Sequence, residues 1–148
     1  MTGEKMADTR FSLYTDGASR GNPGPGGAGS VIRDGEGTVI ATLKKYLGLC
    51  TNNEAEYQAL IMGLEEAVRR GCSRLDIFLD SELLVRHISG AYRIKSKNLL
   101  KYFNQVKNLL SLFESYTITH IDRSLNRAAD RLANEAIDEN VLMSEQAR

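Results

Sequence analysis

The stretch FSLYTDGASRGNPGPGGAGSVIR, residues 11–33, decides the fold. FSLYT (11–15) has the alternating pattern of a half-buried β-strand, and SVIR (30–33) resumes strand character after the turn-rich run RGNPGPGGAG (20–29). Asp16 follows the first strand directly. The pattern therefore predicts two strands joined by a turn cluster, with a carboxylate at the end of the first strand.

The rest of the chain extends this sheet and adds helices. A turn at 34–37 leads into a third strand over 38–46, which completes an antiparallel meander. A helix begins near Asn53, with apolar residues at helical spacing and a stop at Gly71. The remaining predicted elements are a strand over 75–79 reached by a parallel crossover, helices over 81–88 and 98–113, a strand over 116–121 and a helix over 126–137. The predicted fold is a mixed α/β sheet of about five strands flanked by helices.

The composition predicts one soluble domain. The chain has 148 residues, of which 42% are hydrophobic, and no run approaches the roughly 20 apolar residues of a membrane span. We expect a flexible leader over 1–10, a domain over 11–140 and a polar tail over 141–148. The leader lacks the apolar core of a secretory signal, so we expect a cytoplasmic protein.

Charge and cysteine content narrow the function classes only slightly. Nineteen basic residues balance nineteen acidic ones, which neither suggests nor excludes a nucleic-acid partner. Cys50 and Cys72 are too far apart for a C-x-x-C motif, and no histidine stands at metal-ligand spacing from them. We expect buried or half-buried free thiols in a reducing compartment.

Four acidic residues stand where an element meets a turn: Asp16, Glu56, Asp80 and Asp130. Two end neighbouring strands and two lie in the first turns of helices, so all four could meet at one edge of the sheet. Each alone would more often be a helix or turn cap. Converging carboxylates repel one another and need a cation, and Mg²⁺ or Mn²⁺ prefers such oxygen ligands. The constellation indicates a metal-dependent phosphodiester enzyme.

Four motifs in order then resemble one family, type 1 ribonuclease H, from Phe11 to about Ile137. They are YTDGASRGNPGPGGAG, TNNEAEYQAL, DSELLV, and H-x₅-N-x₃-D within HIDRSLNRAADRLANEA. The chain has no Trp, and its short segment AYRIKSKNLLKYF leaves no room for a basic protrusion. It is therefore most similar to the archaeal and plant subgroup that lacks this protrusion.

The resemblance implies a Mg²⁺-dependent endonuclease that cuts the RNA strand of an RNA–DNA hybrid and leaves 5′-phosphate and 3′-hydroxyl ends. The family's metal-binding acids fall on the four residues above, where they would hold two ions, with Mn²⁺ as a substitute. His120 matches the catalytic histidine, although it stands in HIDR where many bacterial enzymes have GHxG. Glu54 is not a match, because two residues from Glu56 it faces away on a helix.

The resemblance also implies substrate contacts. The matching positions are Gly17, Asn22, Asn52 and Asn53 for the sugar–phosphate backbone, Thr51 and Asn22 for a DNA phosphate pocket, and Asn126 beside the last acid. Asn52 or Asn53 could also cap the helix. We expect phosphate attraction from Arg20, Lys44, Lys45, Arg93, Lys95, Lys97 and Lys101. His87 matches no motif and is predicted to lie at the surface.

Three rival functions remain open from sequence. An inactive scaffold of the same fold is disfavoured because all four acids and His120 are present. An enzyme that also cuts double-stranded RNA would need the same metal site. A small-molecule phosphatase fits poorly with the TNN motif at 51–53 and the lysine-rich segment. We expect a monomer, and with no upstream hybrid-binding domain we expect no processivity from tethering.

Overall fold

One mixed five-stranded sheet forms the centre of the computed structural model, which describes residues 9–146. Its strands are β1 (Arg10–Ser19), β2 (Gly24–Arg33), β3 (Val39–Cys50), β4 (Arg74–Leu79) and β5 (Ser115–His120), in the order β3-β2-β1-β4-β5. The pairs β1–β2 and β2–β3 are antiparallel, whereas β1–β4 and β4–β5 are parallel. This is the predicted meander with parallel strands added beside its first member.

Within residues 9–146, four α-helices flank the sheet. They are α1 (Asn52–Arg69), α2 (Glu82–Ser89), α3 (Lys97–Leu110) and α4 (Arg127–Gln146), and a short 3₁₀ turn at Arg123–Leu125 precedes the last. The Ser30 hydroxyl donates to a carbonyl of α1, whereas its neighbour Gly29 lies against α4. Because successive strand residues face opposite sides, α1 and α4 cover opposite faces of the sheet. No helix in residues 9–146 combines the length and apolarity needed to cross a bilayer.

The predicted turn cluster at 20–29 is confirmed only for 20–23, and its second part, 24–29, is strand. β1 continues to Ser19 and β2 already begins at Gly24. The physical reason is close packing by α4: a Cβ on Gly27 or Gly29 would lie 2.1 or 2.2 Å from a backbone carbonyl oxygen of that helix. These glycines allow a helix to approach the sheet and do not bend the chain.

Other element boundaries differ from the prediction by more than the one or two residues expected at the ends of helices and strands. The last helix continues to Gln146, so most of the expected tail is helical. The helix predicted over 98–113 ends at Leu110, and Phe113 packs into the core from the following turn. Of the expected leader, residues 1–8 lie outside the described residues, and Arg10 begins β1.

His87 is buried, contrary to the prediction that it lies at the surface. Only 6% of the residue is exposed, because it belongs to the face of the short helix α2 that packs inward. Its Nδ1 is 2.7 Å from the Tyr57 hydroxyl oxygen, and this hydrogen bond compensates for the loss of water. Cys50 and Cys72 are free and buried, as predicted.

Candidate metal centre

Three of the four predicted acids converge where the pairing of β1 with β4 ends. Asp16 does not end its strand, as the sequence predicted, because β1 stays paired with β2 as far as Ser19. Thr15 of β1 is in register with Leu79 of β4, so Asp16 and Asp80, the next residues, emerge side by side. Glu56 approaches from the first turns of α1. One carboxylate oxygen of each acid lies within 4.8 Å of the others, which is close enough for all three to bind one metal ion.

Gly17 brings α1 close enough to deliver Glu56. A Cβ at Gly17 would lie 2.2 Å from the carbonyl carbon of Ala55 and 2.4 Å from the Glu56 nitrogen, so no larger residue fits. The backbone N–H of Gly17 donates to Glu56 Oε1 at 3.0 Å. Gly17, predicted as a substrate contact, is buried here and orients a site carboxylate.

The electrostatics of the cluster favour a cation. Asp16 is 1% exposed, and neither of its carboxylate oxygens has a hydrogen-bond partner in residues 9–146. Burial, followed by the charges of Glu56 and Asp80, raises the pKa of Asp16 to about 9. Burial and Asp80 likewise raise the pKa of Glu56 to about 8. Buried carboxylates without a counter-charge are unfavourable, and a divalent ion would remove that cost.

Asp130 lies at the margin of this cluster. It belongs to the first turn of α4 and is half-buried. It is not among the three acids that share the 4.8 Å group, but it is close enough to raise the pKa of Asp16. Its Oδ1 also accepts a long hydrogen bond from the Asn134 amide at 3.4 Å. The structure thus places the fourth acid beside Asp16 and outside the tightest group.

Asn126 holds Asp80 in place. The residue is 2% exposed, and its Nδ2 donates to Asp80 Oδ2 and to the Thr15 carbonyl, both at 2.9 Å. One amide therefore ties the end of β1 to the carboxylate that follows β4. The sequence predicted Asn126 as a substrate contact, whereas its amide donor is used on a site carboxylate. Its Oδ1 is buried without a partner in the described residues.

His120 ends β5, in register with Leu79 and so one strand away from Asp80. Its side chain is exposed and makes no hydrogen bond to residues 9–146. Arg123, three residues later, lies near enough to Glu56 to lower the pKa of that carboxyl. Sequence reasoning missed Arg123, although its position between His120 and Asn126 in the last motif was a usable signal.

The predicted substrate contacts at the start of α1 have local structural partners. Thr51, not Asn52 or Asn53, is the N-cap: its hydroxyl accepts from the Glu54 N–H, and the Glu54 side chain accepts from the Thr51 N–H. This capping box confirms that Glu54 turns away from the acids. Asn22 Oδ1 accepts from the Asn52 N–H at 3.0 Å. Beside them lies a cavity of about 260 Å³, lined by Asn22, Thr51, Asn53, Glu54, Ser96, Asn98 and Leu99.

Two of the seven predicted phosphate-attracting cations are occupied elsewhere. Arg20 pairs with Asp138 at 2.7 Å, and Lys44 pairs with Glu135 and Glu139, so both bind acids of α4. The other five are exposed and take part in no ion pair within residues 9–146: Lys45, Arg93, Lys95, Lys97 and Lys101. Four of these five lie on or just before α3.

Comparisons with known proteins agree with this geometry. The profile of the reverse transcriptase-like family matches residues 14–136. A bifunctional protein of Mycobacterium tuberculosis is 44% identical over 127 residues, which are 85% of this chain and 35% of that protein. Ribonuclease HI of Halobacterium salinarum is 41% identical over 130 residues, 88% of this chain and 65% of that protein. The chain thus spans about a third of the mycobacterial relative and about two-thirds of the halobacterial one.

Solved structures show the same fold. The crystal structure of RNase H1 from Halobacterium salinarum superposes with a TM-score of 0.86 at 41% identity, covering 88% of this chain and 98% of that one. LC11-RNase H1 in complex with an RNA/DNA hybrid superposes with a TM-score of 0.84 at 38% identity, covering 88% and 99%.

Proposed function

The chain belongs to the reverse transcriptase-like family and, within it, to the type 1 ribonucleases H, and we propose that it is a metal-dependent endonuclease that cuts the RNA strand of RNA–DNA hybrids. The proposed products carry 5′-phosphate and 3′-hydroxyl ends. LC11-RNase H1 shares this fold and was crystallised in complex with an RNA/DNA hybrid, which supports RNA–DNA hybrids as the substrate class.

The observation that carries the proposal is that the buried Asp16 carboxyl has no hydrogen-bond partner in residues 9–146. Its carboxylate is buried at the centre of the acid cluster, within reach of Glu56 and Asp80, without a hydrogen-bond donor in residues 9–146. A merely structural carboxylate at this depth would have a donor or a basic partner. The three acids therefore fit a divalent ion, and Asp130 beside Asp16 would help to hold a second. We propose Mg²⁺ as the natural metal, with Mn²⁺ as a substitute.

The bound metal would supply an activated water and stabilise the leaving oxygen. The protein residues would orient the metal ligands and transfer protons. The Gly17 N–H and the Asn126 amide fix the carboxylates of Glu56 and Asp80, so that both are oriented before substrate arrives. His120, exposed beside the acid edge, is placed to carry a proton to or from bulk water. Arg123 adds positive charge near Glu56.

Hybrid binding would use the surface between α1 and α3. The cavity beside Asn22 and Thr51 is lined mainly by amides and hydroxyls, which suit a phosphate of the DNA strand. Its one acid, Glu54, accepts from the Thr51 N–H in the capping box. Five exposed cations would attract the phosphates of the hybrid on the same side, and this attraction would weaken as salt rises. They are Lys45, Arg93, Lys95, Lys97 and Lys101. Discrimination of RNA requires contact with the 2′-hydroxyl, for which Asn52 and Asn53 are our candidates.

Cleavage of three matched duplexes, RNA–DNA, RNA–RNA and DNA–DNA, with Mg²⁺, Mn²⁺ or EDTA, tests this function. We expect cutting of the RNA strand in the hybrid, and loss of cutting in EDTA. Cutting of RNA–RNA as well would widen the substrate class to double-stranded RNA. Binding of the hybrid without any cutting in either metal would contradict the proposed activity and favour a scaffold.

We extend the proposal to a cytoplasmic monomer whose catalytic domain covers 11–140, as the sequence predicts. The helix α4 continues past residue 140 without a break, so a truncation at that residue would cut through a helix.

A further inference from the structure

A buried tyrosine–histidine pair lies behind the acid site. Tyr57 is fully buried and His87 is 6% exposed. The Tyr57 hydroxyl and His87 Nδ1 are 2.7 Å apart, and the two rings are nearly parallel with centroids 6.0 Å apart. No carboxylate or basic side chain is hydrogen-bonded to either ring within residues 9–146. The pair is thus a single, isolated polar contact inside an apolar layer.

Both residues of the pair belong to segments that carry site acids. Tyr57 directly follows Glu56 on α1. His87 lies on α2, a helix of 8 residues that begins two positions after Asp80 and is capped by the intervening Ser81. The bond between Tyr57 and His87 is the one side-chain hydrogen bond between α1 and α2 in residues 9–146. It therefore links the two segments that carry Glu56 and Asp80.

The hydrogen bond joins two neutral groups. A phenol keeps its proton at neutral pH, and burial lowers the pKa of His87, which favours the neutral imidazole. A neutral imidazole has one N–H and one acceptor nitrogen, so Nδ1 accepts from the phenol in one tautomer and donates to it in the other. In either tautomer the bond has a narrow range of length and angle, unlike the apolar contacts around it, and can set the distance between two helices.

We propose that the Tyr57–His87 hydrogen bond is a positioning element that fixes the spacing of Glu56 and Asp80, and thereby the affinity of the acid site for divalent metal. The inference rests on the proposed function for the identity of the site. Gly17 positions Glu56 against β1, and Asn126 positions Asp80 against β1. The Tyr57–His87 bond adds a third constraint. It connects α1, which carries Glu56, directly to α2, which follows Asp80.

The test uses the full chain and four variants. Tyr57→Phe and His87→Leu remove the bond, whereas His87→Gln keeps a side-chain acceptor at the same position. Tyr102→Phe is the matched control: its ring stacks on Tyr57 with centroids 6.5 Å apart, but its hydroxyl makes no hydrogen bond in residues 9–146. Mn²⁺ affinity is measured by calorimetry without substrate, the kcat and KM for a hybrid are measured at saturating Mg²⁺, and unfolding midpoints are recorded alongside.

We expect Tyr57→Phe and His87→Leu to weaken Mn²⁺ binding about three- to tenfold, at or below the ~10- to 100-fold effect of direct partners of metal ligands. KM for the hybrid should stay within about twofold, since both residues are buried and neither side chain is exposed to a bound duplex. His87→Gln should retain most of the affinity, and Tyr102→Phe all of it. Rescue by glutamine is the readout that a packing role would not produce.

Unchanged Mn²⁺ affinity in Tyr57→Phe would overturn the inference, even with a lower unfolding midpoint, because the bond would then serve stability alone. An equal loss in Tyr102→Phe would also overturn it, since packing would explain both. A wild-type protein that binds Mn²⁺ but does not cut the hybrid would contradict the proposed function. The Mn²⁺ comparison among the variants would still decide the role of the pair.

Discussion

Two buried glutamates on helix α1 have opposite electrostatic surroundings. Glu56, near the start of the helix, is 7% exposed, and Glu66, near its end, is 8% exposed. Glu66 accepts hydrogen bonds from Arg70 at 2.7 Å and from Arg69, and these partners lower its pKa. Glu56 has one backbone donor and two acids nearby, and its pKa is raised to about 8.

The difference shows that partners, and not depth, separate a structural acid from a functional one. Glu66 has counter-charges within its own helix and needs nothing more. Glu56 is held by Gly17 in a site where burial and the charge of Asp80 disfavour its ionised form and Arg123 offsets only part of that cost. A metal ion bound there would remove the remaining cost. Substitutions at both kinds of acid should therefore have opposite effects on the stability of the metal-free protein.

Asp16→Asn should have the largest effect, because the Asp16 carboxyl has no hydrogen-bond partner in residues 9–146 and is free to bind the expected metal. We expect a loss of hybrid cleavage of more than about 100-fold, beyond the range for residues that only support a metal ligand. The same change should make the metal-free protein more stable at pH 8, because the pKa of about 9 means that folded Asp16 must take up a proton that the unfolded carboxyl does not bind at this pH. Cleavage rates and urea unfolding in EDTA measure the two effects. Asp138→Asn, at an exposed acid on α4, is the matched control.

A variant Asp16→Asn that is both inactive and less stable would contradict this account. It would mean that the Asp16 carboxylate has a stabilising partner in the folded protein, as Glu66 has.

Asn126→Ala should have the next largest effect, although this residue is uncharged. Its amide is the donor that orients Asp80, and loss of such a donor typically weakens metal binding about 10- to 100-fold. The Mg²⁺ concentration for half-maximal cleavage should rise, and very high Mg²⁺ should restore part of the rate. A rate that falls without any change in metal dependence would assign Asn126 to substrate contact, as the sequence predicted.

Glu56→Gln and Glu66→Gln should change stability in opposite directions in metal-free protein at pH 8. The folded-state pKa of Glu56 is raised from 4.5 to about 8, so its contribution to stability is full below about pH 4 and is lost as pH rises through 8. Glu56→Gln removes that loss and should therefore stabilise the metal-free folded protein at pH 8. Glu66 has a lowered pKa, so its contribution exists above about pH 4.5 and is lost in acid.

For Glu66→Gln we expect a loss of about 1–2 kcal/mol at pH 8, modest because both arginines are largely solvent-exposed. Urea unfolding in EDTA at pH 5, 7 and 9 measures both variants against wild type. Changes of the same sign at pH 8 would remove the distinction between the two glutamates.

The acid site was predictable because its members lie in short local motifs. Asp16 and Asp80 follow the last paired residues of two neighbouring strands, Thr15 and Leu79, and the helical period separates Glu56 from Glu54. The role of Asn126 was not predictable, since its amide reaches Thr15, 111 positions away in the chain. The influence of Arg123 on Glu56 likewise depends on the folded approach of the 3₁₀ turn to α1.

The errors in the fold have a common physical origin, which is packing that local propensity does not encode. The run 20–29 is rich in turn-forming residues, but only 20–23 turn. The segment 24–29 is strand, with glycines where α4 packs on the sheet. His87 is polar and looked like a surface residue, yet its partner Tyr57 is 30 positions away on another helix. In both cases a tertiary contact determines the structure.

Glu54→Ala should have the smallest effect, and it tests the contrast within one turn of α1. Glu54 stands two positions before Glu56, but its carboxylate accepts from the Thr51 N–H at 2.8 Å as part of the capping box. We expect a loss of about 0.5–1 kcal/mol in the free energy of unfolding, the usual range for such caps. Mn²⁺ affinity, measured by calorimetry, should not change. A loss of affinity as large as that of Asn126→Ala would place Glu54 among the metal ligands, and the separation of capping and metal-binding acids on this helix would fail.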